Sequence, residues 1–305
     1  MKTAYLAPRD FLDELLGELG EQTRIQAVHG RLVVTTGPAV SAAWAQNVWF
    51  DPKELRFESV GGAARALRSI QRSWALHSVV LHRRARLIAE KLPKVGGRRL
   101  AFPASPPSSP IGSFTLLEPD LMLASANCSS PFPNGEVEFV EDREGPASRA
   151  YLKLWEALTL AGAHPKPGER CLDLGSSPGG WTWALQQLGA QVISVDKSPL
   201  ADPIARLPGV SFLKRDAFTL TPGAVGPVDW LFSDVICYPQ RLLELVTRWL
   251  DSGLCGKFVC TIKLQGKAPG VQDRHAIRSL GQIPGSTVRH LYHNKHELTW
   301  TLLAG

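Results

Sequence analysis

The run from Cys171 to Trp181, Cys-Leu-Asp-Leu-Gly-Ser-Ser-Pro-Gly-Gly-Trp, constrains the fold more than any other stretch of the chain. An apolar strand pattern ends in an acid and a glycine, and two more glycines precede a helix predicted to begin near residue 180. Glycine permits a tight turn and a close approach to a ligand, and the first helical turn offers unpaired N–H groups. The run therefore predicts a cradle for a nucleotide-like cofactor.

The spacing of these glycines differs from that of two common phosphate-binding motifs. It is neither the dinucleotide pattern G-x-G-x-x-G nor a P-loop, which would need Lys and then Ser or Thr after the glycines. The sequence therefore disfavours a pyrophosphate ligand such as a nicotinamide dinucleotide.

Four apolar strand patterns in this half of the chain each lead to an acidic residue. The second pattern ends about twenty residues beyond the glycine turn, where an acid can bind a ribose diol. Ligands of an open parallel sheet bind at the carboxyl ends of its strands, so we expect the acids to converge on one crevice. An ordinary loop or helix-cap role is the alternative for any single acid. The four are Asp173, Asp196, Asp216 and Asp234.

The motif D-L-G-x-x-P-G-G-W resembles that of the FtsJ/RrmJ-type S-adenosylmethionine-dependent methyltransferases, which modify ribose 2′-hydroxyls of RNA. Segments similar to those carrying the family's Lys-Asp-Lys-Glu tetrad follow in the same order, with Lys153, Asp234, Lys263 and Glu297 as candidates. The resemblance implies S-adenosylmethionine as cofactor. The candidate cofactor residues are Gly175, Ser176, Ser177, Pro178, Gly179, Gly180, Trp181, Asp196, Asp216 and Asp234; packing is an equal alternative for Trp181, and Trp183 is left out.

The resemblance also implies a role for each tetrad residue. Lys263 would take or stabilise the proton of the 2′-hydroxyl, although a lysine with an ordinary pKa of about 10.4 is a poor base at pH 7. Either Lys153 and partial burial lower the pKa of Lys263, or Lys263 acts by stabilising the developing alkoxide. Asp234 and Glu297 would balance the two lysines, with Asp234 also near the methyl donor.

Three further segments are similar to the branch of the family that methylates large-subunit ribosomal RNA. They are residues 129–135, 148–154 and 289–293. This resemblance implies a cytidine of 23S rRNA as the target and a THUMP-like RNA-binding region before the catalytic domain. We therefore predict an α+β THUMP-like accessory domain over residues 1–145. A Rossmann-like α/β methyltransferase domain over residues 146–305 would have a mostly parallel sheet with an antiparallel last strand.

Hydrophobic periodicity predicts the elements of the first domain. Helices are expected over residues 11–19, 61–70 and 84–92, two strands within residues 23–36, and another strand over residues 74–81. A Pro- and Ser-rich loop follows at residues 103–110.

The net charge of +6 hides two blocks of opposite sign. Residues 60–105 contain ten basic residues and one acidic residue, whereas residues 106–145 contain seven acidic residues and one arginine. The planar fork of arginine suits phosphate, so the cations predict an RNA-binding surface; a solvated face paired with the acidic segment is the alternative. This arginine block comprises Arg65, Arg68, Arg72, Arg83, Arg84, Arg86, Lys91, Lys94, Arg98 and Arg99.

Several classes of protein and of site are disfavoured. The chain shows no apolar signal core and no run of roughly twenty apolar residues, so a cytoplasmic protein without a membrane span is expected. Five cysteines without C-x-x-C spacing argue against a disulfide framework or thiolate zinc site, and we expect reduced thiols. His290, His293 and His296 straddle a predicted strand and turn, so no metal site is expected. No obligate protein partner is evident.

The chain departs from the family pattern after the catalytic acid. FtsJ-type enzymes usually read Asp-Met-Ala-Pro there, whereas Val-Ile-Cys-Tyr-Pro follows Asp234. Tyr238 in this segment could stack on an RNA base or pack in the core. The favoured function is RNA ribose 2′-O-methylation. An RNA-binding protein with a degenerate pocket and a small-molecule methyltransferase are the alternatives.

Overall fold

The computed structural model describes residues 1–97, 99–264 and 271–303 of the chain, which packs as two compact units. The first unit comprises Met1–Leu100 and Pro106–Glu138, and the second comprises Ala101–Ser105 and Phe139–Gly305. This division differs from the predicted boundary after residue 145, because residues 101–105 and 139–145 pack with the second unit. Arg98 of the arginine block lies outside the described residues.

The first unit is built from two sheets and accompanying helices. The described sheets have the orders β2-β3-β1-β4-β9 and β5-β8-β7-β6. The elements are β1 (Lys2–Leu6), α1 (Leu12–Gly20), β2 (Ile25–His29), β3 (Leu32–Thr36), β4 (Asn47–Phe50), β5 (Lys53–Arg56), α2 (Val60–Ile70), β6 (Trp74–Leu76), α3 (His82–Ala89), β7 (Gly112–Glu118), β8 (Leu121–Ser125) and β9 (Asn127–Cys128).

The predicted helices of the first unit form, as does the predicted hairpin of β2 and β3. The strand predicted over residues 74–81 is shorter in the structure, where β6 ends at Leu76, the last of its residues that pairs with β7. The chain then turns to enter α3, with Leu81 at a positive φ of 51° before the helix begins. The unit is therefore α+β as expected, while its likeness to a THUMP region stays a prediction.

The second unit contains a sheet whose described strands have the order β12-β11-β10-β13-β14-β16-β15. Strands β10 to β14 are parallel, and β16 runs antiparallel between β14 and β15. The predicted mostly parallel sheet with an antiparallel last strand is therefore confirmed. The elements are α4 (Tyr151–Ala161), β10 (Arg170–Leu174), α5 (Gly180–Gln187), β11 (Gln191–Asp196), α6 (Asp202–Ala205), β12 (Val210–Lys214), α7 (Pro222–Val225), β13 (Trp230–Ser233), α8 (Pro239–Ser252), β14 (Lys257–Lys263), α9 (Val271–Gln282), β15 (Ser286–Arg289) and β16 (Glu297–Leu303).

The central strands of this sheet are buried, which explains their nearly continuous apolar sequences. Leu172 of β10, Phe232 of β13 and Phe258 of β14 are fully buried. Within the described part of the chain, no helix combines the length and the apolar character needed to cross a bilayer. The cytoplasmic location stays a prediction.

The antiparallel direction of β16 determines where its first residue lies. Because β16 starts beside the point where β14 ends, Glu297 pairs directly with Lys263 across the two strands. A parallel strand at this position would present its last residue instead. Strand direction therefore brings together two side chains that are far apart in sequence.

Glu156 of α4 anchors the turn that precedes β16. Its carboxylate accepts the backbone N–H groups of Tyr292 at 2.7 Å and His293 at 2.9 Å. Burial raises the pKa of Glu156 to about 8, outweighing these two hydrogen bonds and the nearby charge of Arg289. The same helix that carries Lys153 thus fixes the turn leading to Glu297.

We predict that Glu156→Gln changes how stability depends on pH. The folded pKa lies above the ordinary value of 4.5, so the folded protein binds the proton more tightly than the unfolded chain does. The Glu156 contribution is therefore fully present below pH 4.5 and is lost as the pH rises through 8. Relative to the variant, the wild-type free energy of unfolding should fall by about 1.4 kcal/mol per pH unit within this window, measured by urea denaturation.

Asp173→Asn provides a second buried variant for the same experiment. Burial raises the pKa of Asp173 to about 7, so its contribution to stability should be fully present below pH 3.8 and be lost as the pH rises through 7. Parallel pH profiles for wild type and Glu156→Gln would contradict the prediction.

Candidate active site

Four charged side chains meet at the carboxyl edge of the parallel strands. Lys153 Nζ lies 3.0 Å from both carboxylate oxygens of Asp234 and 2.8 Å from Glu297 Oε1. Lys263 Nζ lies 2.6 Å from Asp234 Oδ1 and 2.6 Å from Glu297 Oε2. The four residues predicted as a tetrad therefore form one closed cluster in which each lysine contacts both acids.

The two lysines of this tetrad are not equivalent. An ammonium group has three N–H donors, and Lys153 has three carboxylate oxygens within hydrogen-bond distance. Among the residues that the structure describes, Lys263 contacts two such oxygens, which leaves one donor for another partner. Its side chain is also more exposed, at 18% against 10% for Lys153. Lys263 is therefore the lysine that is able to contact a substrate.

The charges of the tetrad stabilise one another. Burial alone lowers the pKa of Lys263, but the charges and hydrogen bonds of Asp234 and Glu297 outweigh it, so the pKa is raised. Burial alone raises the pKa values of both acids, but the charges of Lys153 and Lys263 lower them. Of the two readings of Lys263, a lowered pKa is therefore wrong for this arrangement, and both acids are ionised at pH 7.

The glycines of the turn after β10 are required chiefly by contacts within the protein. Gly175 has a φ of 77°, and a Cβ there would lie 2.7 Å from the Val235 backbone. A Cβ at Gly179 would lie 2.7 Å from Ile204, and one at Gly180 would overlap the Ser148 hydroxyl. The sequence correctly indicates tight backbone approach, but the observed neighbours are parts of the chain.

Asp196 and Asp216 shape the loops that line this edge of the sheet. Asp196 accepts the backbone N–H groups of Ser177 at 3.1 Å and Ser198 at 2.8 Å, so it joins the loops after β10 and β11. Asp216 accepts the Phe218 N–H at 2.9 Å and pairs with Lys197 at 2.9 Å. In the same loops, Pro178 accepts the Ala201 N–H at 3.0 Å. Both acids therefore have the loop role that was the alternative, and a ligand role for either stays a prediction.

Asp173 lies beneath this edge of the sheet. It is fully buried, and its Oδ2 accepts the Thr182 hydroxyl at 2.7 Å. Burial raises its pKa to about 7; the Thr182 hydrogen bond opposes this shift, and the charges of Asp234 and Asp196 add to it. Three buried oxygens near the ends of β10 and β13 have no hydrogen-bond partner within the described structure: Asp173 Oδ1, Ser176 Oγ and Ser233 Oγ.

Trp181 and His290 each lie within hydrogen-bond distance of a backbone carbonyl oxygen. The Trp181 indole N–H donates to the Ala150 carbonyl at 2.9 Å, so this side chain joins α5 to the chain just before α4. His290 is buried, and its Nε2 lies 2.9 Å from the Lys295 carbonyl oxygen. Among the residues that the structure describes, no group of three His, Cys, Asp or Glu side chains could hold a metal ion.

Sequence reasoning missed two residues that support the tetrad. Glu156 fixes the turn before β16, and the Asn294 side chain donates to the Glu297 carbonyl at 3.2 Å and to Thr299 Oγ1 at 3.0 Å. The sequence does offer a signal for Glu156, because it is an acidic residue within the apolar run Leu-Trp-Glu-Ala-Leu, three residues after Lys153. Asn294 had no comparable signal.

Comparison with known proteins relates this site to a family. Residues 146–254 match the FtsJ-like methyltransferase family. A ribosomal RNA large subunit methyltransferase M from Halorhodospira halophila is 36% identical over 173 residues, covering 55% of this chain and 50% of the relative. A protein of the same name from Azoarcus sp. is 33% identical over 225 residues, covering 70% of this chain and 60% of the relative.

The matched region spans only part of these relatives, about half of the first. A solved structure, a TehB-like SAM-dependent methyltransferase from Corynebacterium glutamicum, aligns at 16% identity and a TM-score of 0.33, covering 50% of this chain and 95% of that one. The sequence comparisons carry the family relationship, and the residues matched by the family include the glycine turn, Lys153 and Asp234. Residues 146–254 of this chain therefore form an FtsJ-like methyltransferase domain.

Proposed function

We propose that this chain is an S-adenosylmethionine-dependent RNA ribose 2′-O-methyltransferase that acts on ribosomal RNA, with a cytidine of 23S rRNA as the target. The observation that carries the proposal is the closed Lys153-Asp234-Lys263-Glu297 tetrad, with one lysine N–H left for a substrate oxygen. The FtsJ-like domain and the names of the relatives support it.

The residues at the strand ends fit an adenosine-bearing cofactor. Buried oxygens without a partner at Asp173, Ser176 and Ser233 offer acceptors and donors to a polar ligand. Asp196 still has lone pairs for a ribose diol, because each carboxylate oxygen accepts more than one hydrogen bond. Residues Gly175 to Trp181 and Asp216 would complete the site, with Asp234 near the methyl donor.

S-adenosylmethionine, when bound, supplies a methyl group activated on a sulfonium. Lys263 would donate its remaining N–H to the ribose 2′-oxygen, which orients the hydroxyl and stabilises negative charge as it develops. Lys153 keeps Asp234 and Glu297 in place, and these acids hold Lys263 as an ammonium. The raised pKa of Lys263 favours this electrostatic role over that of a base.

The hydroxyl proton needs an acceptor other than Lys263. Asp234 and Glu297 have lowered pKa values and are ionised at pH 7. A hydroxyl oxygen that is gaining a methyl group becomes strongly acidic, so a carboxylate suffices to take its proton. Positioning and charge stabilisation then supply most of the rate enhancement.

The arginine block supports an RNA substrate. Arg65, Arg83 and Arg86 are exposed on α2 and α3. Among the described cations of the block, only Arg99 forms an ion pair with the acidic segment, to Glu138 at 3.4 Å. Other acids of that segment pair with basic residues outside the block, such as Glu118 and Asp120 with Arg56. The block therefore keeps charge available for phosphates.

We predict that Asp196→Ala weakens binding of S-adenosylhomocysteine by about 1–3 kcal/mol, because a buried hydrogen-bonding group loses its partner. The substitution also removes the bond to the Ser177 N–H, so the experiment needs a second ligand. For 2′-deoxy-S-adenosylhomocysteine, which lacks the 2′-hydroxyl, calorimetry should show a smaller loss of binding free energy on Asp196→Ala. If both ligands lost the same binding free energy, Asp196 would only hold the loops together and would not contact the ribose diol.

We predict that Lys263→Ala lowers kcat for methyl transfer to RNA by roughly 10²–10³-fold, the usual effect of removing one donor to a developing oxyanion. Affinities for RNA and S-adenosylhomocysteine should stay close to wild type, because the contact matters most in the transition state. Lys257→Ala, at the opposite end of β14, is the matched control and should retain activity. The substrate is rRNA from a strain that lacks this protein.

The pH dependence of the chemical step separates the two roles of Lys263. An ammonium donor predicts a rate that does not depend on Lys263 titration between pH 7 and 9, because its pKa is raised above 10.5. A required neutral lysine predicts about a tenfold increase per pH unit. Wild-type protein that binds S-adenosylhomocysteine but methylates no such RNA would favour a binding protein with a degenerate pocket.

We predict that reversing Arg83 and Arg86 to Glu weakens RNA binding and its dependence on salt. Loss of two phosphate contacts should reduce the slope of log affinity against log salt by about one and a half, measured by fluorescence anisotropy with single-stranded RNA. Arg84 is left unchanged because its guanidinium lies 5.5 Å from the Phe57 ring centroid. A double reversal of the exposed Lys166 and Arg206 controls for net charge, and an equal effect would contradict the assignment.

A further inference from the structure

The loop after Asp234 exposes apolar side chains to an unusual degree. Ile236 is 79% exposed, the largest value among the large hydrophobic residues that the structure describes, and Tyr238 is 54% exposed. Cys237 between them is only 4% exposed. The loop therefore turns one side chain inward and two outward.

This loop is held firmly by the rest of the second unit. The Asp234 N–H donates to the Leu174 carbonyl at 3.2 Å, and Val235 lies against Gly175 so closely that a Cβ there would not fit. Pro239 is buried at the start of α8. Ile236 and Tyr238 are thus presented to solvent by a fixed backbone, and their exposure is a defined feature of the surface.

We propose that Ile236 and Tyr238 form the surface on which an unpaired nucleobase of the RNA substrate packs; this inference rests on the proposed function and specifies its substrate contact. The two side chains follow Asp234, the acid that contacts both tetrad lysines, by two and four residues. Two residues of extended chain span at most about 7 Å, and four span at most about 14 Å. The base of a nucleotide is attached to C1′, the carbon next to C2′. The base therefore lies close to the reacting 2′-hydroxyl, as the loop lies close to Asp234.

The chemistry of the surface favours an unpaired base over a duplex. Bases in a duplex are stacked on their neighbours, whereas a base in a loop or single strand can place its flat face on an aromatic or aliphatic side chain. Burial of Ile236 and Tyr238 beneath such a face would remove apolar area from water. A duplex would offer only its sugar-phosphate backbone and groove edges.

A cation lies one turn further along α8. The Arg241 N–H donates to the Tyr238 carbonyl oxygen at 3.0 Å, and the exposed Arg241 guanidinium lies 3.9 Å from the Phe218 ring centroid. Stacking on the ring fixes the direction of the guanidinium. An exposed aromatic side chain together with a basic residue three positions later in the chain suits single-stranded nucleic acid, which offers a base to the ring and a phosphate to the cation.

The test measures equilibrium binding of the full chain to single-stranded oligocytidylate, to the same strand paired with oligoguanylate, and to S-adenosylhomocysteine. Tyr238→Ala should weaken binding of the single strand by roughly 5- to 150-fold, the contribution of one base stacked on an aromatic ring. Ile236→Ser should also weaken it, because apolar contact area with the base is lost. The duplex and S-adenosylhomocysteine should bind with unchanged affinity. Tyr238→Phe, which keeps the ring, should retain the wild-type affinity.

Val140→Ser removes another exposed apolar side chain of the same unit, 55% exposed, and should have no effect. Unchanged single-strand affinity in both Tyr238→Ala and Ile236→Ser, or an equal loss for the duplex, would overturn the proposal. A loss confined to S-adenosylhomocysteine would also overturn it, by assigning the loop to the adenine of the cofactor. These binding measurements are independent of turnover, so wild-type protein that transfers no methyl group to rRNA would instead refute the proposed function.

Discussion

The mutual neutralisation of Lys153, Asp234, Lys263 and Glu297 is the interaction on which the second unit depends. Four charges in a mostly buried site are costly unless each is paired, and removing one member of a buried pair typically costs about 3–5 kcal/mol. The four side chains come from α4, the end of β13, the end of β14 and the start of β16. The fold must therefore bring four separate elements to one edge, and the reversed direction of β16 is what allows a strand's first residue to reach it.

The loops at the carboxyl edge of the sheet are linked to one another by carboxylates. Asp196 joins the loop of Ser177 to its own loop, and Asp216 pairs with Lys197 from that loop. Successive strand ends are thus linked in a row. Such links would preorganise the proposed cofactor site, because the loops would not need to become ordered when a ligand arrives.

Much of this arrangement was predictable from the sequence, because strand ends and glycine turns are local patterns. The glycine turn and the strand ending at Asp196 follow from motifs of a few residues, whereas the tetrad candidates follow from the resemblance to a known family. Glu156 was missed because its partners, Tyr292 and His293, lie more than a hundred residues away. The direction of the pKa shift of Lys263 could not be predicted either, since it depends on how burial balances two carboxylates at specific distances.

The neutrality of the tetrad has a consequence for how a polyanion is attracted. Two lysines and two ionised acids sum to no net charge, so the tetrad exerts little force on RNA beyond a Debye length, about 8 Å at physiological salt. For the proposed RNA substrate, long-range attraction would come from charge that is not balanced locally, and the arginine block, with ten cations and one acid between residues 60 and 105, would supply it. The chain thereby separates the two tasks. Attraction of phosphates by the exposed arginines would depend on salt, whereas the ion pairs of the mostly buried tetrad are screened much less by salt.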